Sequence, residues 1–175
     1  MHDAIKAALL AVTGIAAITD LYTRQISNAL VVAGFAAGVG LNLWLSGWNG
    51  FLHSLGGFGL AILMYVPLFV IRARAGGDVK LMAAAGAIVG PRDWFTLFIF
   101  ASIVGGVIAL AMLAGRNAFR STFHNVMYIA KELAHFRAPY KSRSRLDIAS
   151  AQASTMPHGV AIFMGAVLLL ISRHY

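Results

Sequence analysis

The chain has no cysteine, only six acidic residues in 175, and a charged fraction of 11%. The missing thiol excludes a disulfide scaffold, thiol catalysis, iron–sulfur ligation and any cysteine-held zinc. So few charges beside so many apolar side chains exclude disorder. They also exclude an ordinary soluble domain, in which about a quarter of residues are charged. What is plentiful is apolar surface: 59% of residues are hydrophobic and the mean hydropathy is +0.77. Length points to one domain, 1–175. The composition predicts an all-α, polytopic integral membrane protein.

The formal charge of +8 would suggest nucleic acid in a soluble protein. Here the basic residues fall between apolar runs, so they report topology first, and no nucleic-acid partner is expected. Runs near the roughly 20 residues needed to cross a bilayer cover 5–20, 28–45, 51–71 and 94–114, with a last run at 156–171. Met1–Ala4 lacks the basic start of a signal peptide. Gly47-Trp48-Asn49-Gly50 reads as a turn, with Trp44 and Trp48 at interfacial depth. A further run at 79–89, closed by Gly90-Pro91-Arg92-Asp93, is too short to cross unaided. A half-length helix at that depth needs protein or a water-filled cavity around it.

Residues 115–155 form a polar, basic loop. Within it Phe123, Val126, Met127, Ala130, Leu133 and Phe136 recur at threes and fours. That spacing predicts an amphipathic helix over 121–137, lying on the membrane surface or docked on its own bundle. Lys141-Ser142-Arg143-Ser144-Arg145 reads as a solvated stretch facing anionic headgroups. Six passages, including the short fourth, put eleven Lys and Arg on one side and only Lys6, Arg92 and Arg173 on the other. The positive-inside rule then places the richer side in the cytoplasm and both termini outside.

Of the acids, Asp3, Asp93, Glu132 and Asp147 have ordinary solvated or paired readings. Asp20 and Asp78 differ, because each sits at the cytoplasmic edge of an apolar helix, where a carboxylate is costly and usually functional. The plain alternative pairs Asp20 with Arg24 one turn on and makes Asp78 only a helix cap. Asp78 follows Gly76-Gly77 and opens a helix, where the dipole favours a carboxylate; Asp20 closes one, where ionisation is disfavoured. Side by side, two such groups share one proton, with Asp78 the expected ionised member and Asp20 the protonated one. Such a pair activates water while donating a proton to a carbonyl oxygen. Gly76 and Gly77 would let a peptide backbone approach closely.

Those residues carry a resemblance. Asp20-x3-Arg24-x-Ile26-x-Asn28 and Ala75-Gly76-Gly77-Asp78-Val79-Lys80-Leu81 are similar to the two signatures of the type IV prepilin peptidases, GxGD-type intramembrane aspartic proteases. Met156-Pro157-His158-Gly159-Val160-Ala161 resembles that family's Pro–aromatic–Gly opening of the last helix. Three positions depart from the pattern: Ala75 replaces the first glycine, Ser27 the usual proline and His158 the aromatic. The resemblance implies that Asp20 and Asp78 form the catalytic pair and remove the basic leader from prepilin or pseudopilin substrates at the cytoplasmic face of the inner membrane. It also implies the short branch serving Flp (tight-adherence) pilins, because the larger members' methyltransferase region carries a cysteine-held zinc.

Arg24, Asn28 and Lys80 are expected to orient the acids or bind substrate backbone, although one helical turn from an acid is also where a cation would form a plain ion pair. The six histidines show no HxxxH or HExxH spacing, so no metal and no cofactor is expected. The partners expected are the bilayer and a pilin precursor. Two other classes compete: a proton- or ion-coupled transporter or channel component using the same aspartates, and a non-catalytic assembly protein of a secretion apparatus.

Overall fold

A computed structural model describes residues 1–70, 76–115 and 158–173. Most of the 115–155 loop, the amphipathic helix over 121–137, and Arg72 and Arg74 lie outside the described residues. The described residues hold four helices: α1 Asp3–Thr23, α2 Asn28–Val70, α3 Gly76–Gly115 and α4 His158–Ser172. Three stretches, Asp3–Thr23, Asn28–Tyr65 and Gly77–Met112, are long and apolar enough to cross a membrane.

Drawn straight, the 43 residues of α2 would run about 65 Å, twice the hydrocarbon thickness of a bilayer. They fold back instead. Gly47 takes φ 56° and ψ −141°, outside helical space, and Phe35 and Phe58 then meet edge to face with ring centroids 4.9 Å apart. A straight helix would hold those rings about 35 Å apart. In α3, of 40 residues, Gly90 (φ 78°, ψ 175°) makes the same break. Trp94 Nε1 reaches back to donate to the Met82 carbonyl at 2.9 Å. Each of the two is therefore a helical hairpin.

The turns are tighter than the four-residue segments expected. One glycine at positive φ suffices in each, and Trp48 and Pro91 are already helical. Pro91 stands in the first turn after the break, where its missing N–H costs nothing.

The first leg of α3, residues 76–89, rises about 21 Å, well short of the membrane core. All ten residues from Leu81 to Gly90 are buried, so protein surrounds the short helix on every side. Its end is then the difficulty, since the last carbonyls of a helix have no partners within it. The α2 hairpin supplies them. Asn42 Nδ2 donates to the carbonyls of Ala87 (3.2 Å) and Ile88 (3.0 Å). Ser54 Oγ donates to the Ala87 carbonyl as well, and the His53 ring Nε2 lies 3.2 Å from the Val89 carbonyl. Gly38 brings the backbones close enough for this, because a Cβ there would stand 2.7 Å from Ile88 N. Asn42→Leu is expected to leave the Ile88 carbonyl unpaired and to cost about 1–3 kcal/mol, read as a lower unfolding temperature in micelles.

The core runs through Leu9, Tyr65, Leu81, Met82, Ile88, Trp94, Leu97, Ile162 and Leu169, each at most 2% exposed. Ile18, Leu21, Val32, Leu63, Ile103 and Val107 are more than half exposed, as lipid-facing side chains are. At the far end of α4, Arg173 pairs with Asp93 at the start of the second leg of α3.

Candidate active site

The buried residues of α1 are Ile5, Leu9, Val12, Thr13, Ala16, Ala17 and Asp20. Their spacing of three and four is a single helical stripe, so the periodicity that builds the core also carries the Asp20 carboxylate inward. Asp20 is 8% exposed. Four residues later α1 stops at Arg24, which adopts the left-handed conformation (φ 54°, ψ 27°) and donates its backbone N–H to the Asp20 carbonyl. Asp78 is the third residue of α3, in its first turn rather than at its cap, and is 7% exposed.

The first turn of α4 joins the two. The Gly159 N–H donates to Asp20 Oδ2 at 2.7 Å. His158 Nδ1 stands 4.0 Å from Asp78 Oδ2. Consecutive residues thus touch both acids, which follows from α4 packing against α1 on one side and α3 on the other. Residue 159 must be glycine for this: a Cβ would stand 2.9 Å from Asp20 Cβ and 3.1 Å from both Asp20 Oδ2 and the Ala16 carbonyl. Two buried carboxyl groups at one helix N-terminus, near the end of the bundle, have the parts needed to activate water against a peptide bond.

Residues 7–110, more than half of the chain, match the type IV leader peptidase family. The chain belongs to that family. Neither a curated protein nor a solved structure matches it. Membership implies an aspartic-type peptidase with prepilin substrates. Asp20 and Asp78 both fall inside the matched stretch, whereas α4 falls outside it.

In this family member, Lys80 Nζ donates to Asn28 Oδ1 at 2.9 Å, an exposed bond that joins the starts of α2 and α3. Ile26 packs beneath, 3.5 Å from where a Cβ on Gly77 would lie. The residues at 26–28 and 77–80 therefore form one corner of the site. Gly76 is the first residue of α3, and Arg24 lies exposed past the end of α1. An exposed pair of this kind contributes little to stability. Asn28→Ala is expected to lower stability by less than about 1 kcal/mol, so a larger loss of activity in that variant, measured beside its melting curve, would reveal a substrate contact.

Two site residues are not among the candidates named from the sequence. His158, noted there only as standing where an aromatic is usual, has its ring beside Asp78. Gly159 acts through its backbone, which leaves no side-chain signal. The one available clue is the Pro157-His158-Gly159 step just ahead of an apolar run. Among the described residues no three His, Asp or Glu side chains gather into a metal-holding group.

Proposed function

We propose that this family member is a membrane-embedded endopeptidase that removes the basic leader from Flp-type prepilins, with Asp20 and Asp78 as its catalytic dyad. The observation that carries the reading is the first turn of α4 touching both buried carboxyl groups at once. In the reaction one carboxyl group is ionised and its partner protonated. The ionised group takes a proton from water as the oxygen attacks the scissile carbonyl carbon. The protonated group gives its proton to the carbonyl oxygen, stabilising the charge that develops there. Collapse of the tetrahedral species breaks the C–N bond, and the new amine leaves with a proton returned by the dyad. No bond forms between enzyme and substrate.

The helical hairpins of α2 and α3 support six passages through the inner membrane, with the short 76–89 leg sheltered among the others. The Lys and Arg distribution favours both termini outside and the dyad at the cytoplasmic face. A prepilin's own apolar segment would partition into the bilayer and bring the scissile bond to headgroup level. A basic enzyme face would repel a basic leader, so membrane capture accounts for encounter better than electrostatic steering.

Co-expression with an Flp-type prepilin tests this against the competing classes. The peptidase reading expects the pilin to lose its leader, seen as a faster band on a gel. A transporter would leave the pilin at full length and show an aspartate-dependent ion flux, and an assembly protein would show neither.

A further inference from the structure

The Asp20 carboxyl group has two oxygens, and the structure treats them differently. Oδ2 accepts the Gly159 N–H at 2.7 Å, and the same oxygen is where a Cβ at 159 would press, at 3.1 Å. We infer that Gly159 is a positioning residue for leader removal: its amide clamps Asp20 Oδ2, so that Oδ1 is the oxygen presented to water and substrate. This rests on the peptidase reading for its kinetic consequence, although the clamp itself is independent of it.

The argument is one of geometry and helix chemistry. The first N–H groups of a helix have no partner within it, and a buried carboxyl oxygen is the strongest acceptor they can meet. A donor fixed in the backbone cannot rotate away, as a side-chain hydroxyl could. With the Asp20 Cβ already against α4, the carboxyl plane has little freedom left. A methyl group at 159 would push that plane aside by the few tenths of an ångström that separate contact from clash. The Ala16 carbonyl behind it belongs to helical backbone and gives no room. Misplacing a reacting group by about 1 Å can cost about 10²-fold in rate. For a displacement of a few tenths of an ångström, Gly159→Ala is expected to lower kcat by up to about 10²-fold with KM little changed.

A direct readout needs no activity. His158-Gly159 is the sole His–Gly step in the sequence, so carbonyl-13C histidine with 15N glycine selects one amide signal in the intact protein. That proton is expected far downfield, as for a short bond to a carboxyl group. It should shift in Asp20→Asn, where an amide oxygen replaces the carboxyl oxygen as acceptor, and stay in place in Asp78→Asn. An unmoved signal in Asp20→Asn, or equal shifts in both variants, would overturn the clamp. So would a Gly159→Ala protein with wild-type kcat. Should that variant not fold, the amide signal in the two asparagine variants decides alone. Should wild type cleave no pilin, the peptidase reading fails while the amide signal still tests the clamp.

Discussion

Asp20→Asn and Asp78→Asn are each expected to slow leader removal by about 10²–10⁴-fold, the range contributed by a positioned acid or base. Melting in micelles should barely change. Asparagine keeps the volume of aspartate and, at position 20, keeps an oxygen able to accept the Gly159 N–H, so the packing of α4 on α1 survives. What is lost is the capacity to take up or release a proton. Because the two groups act as one unit, the double variant should be scarcely slower than either single one. Additive losses would mean that the two acids work separately, and a large fall in melting temperature would mean that they hold the fold instead.

Trp94→Ala is expected to be the most destabilising of the substitutions considered. Trp94 is fully buried. It stacks on Phe98 at 5.6 Å between centroids, meets Tyr65 edge-on at 6.2 Å, and donates its indole N–H to the Met82 carbonyl. It therefore fastens one leg of the α3 hairpin to the other, and the first of those legs carries Asp78. In a soluble protein, truncating a buried tryptophan to alanine costs about 3–5 kcal/mol. Lipid is as apolar as the core, so the transfer part of that cost shrinks here, while the lost contacts and the cavity remain. A loss of about 2–4 kcal/mol follows. Trp94→Phe keeps the stacking and gives up the hydrogen bond and part of the buried volume, a smaller loss of about 1–2 kcal/mol. Equal melting temperatures for the two variants would show that the ring's volume is not what binds the hairpin.

Much of this architecture is legible in the residues themselves. The threefold and fourfold spacing from Ile5 to Ala17 leads directly to a buried Asp20. The shortness of the run at 79–89 already demands a sheltering bundle, and that is where the structure places it. The breaks at Gly47 and Gly90 are visible as glycines, but their tightness is not: a single residue at positive φ reverses the chain, and the flanking residues stay helical. Asn42 is harder still. Alone it is one polar residue in an apolar span, and its role depends on Ile88, which comes near only after both hairpins close. Gly159 is the limiting case, since a backbone donor has no composition of its own. The site is legible where side chains carry the chemistry and hidden where the backbone does.

On the proposed reading, Asp20 and Asp78 together hydrolyse a pilin leader at the membrane edge. Purified protein in lipid vesicles, given a synthetic prepilin spanning its leader junction and followed by mass spectrometry, tests it most directly. The prediction is release of two fragments from one defined bond by wild type, and intact substrate with the Asp20→Asn, Asp78→Asn double variant. Cleavage at the same bond by that double variant would mean that neither carboxyl group is needed for the chemistry.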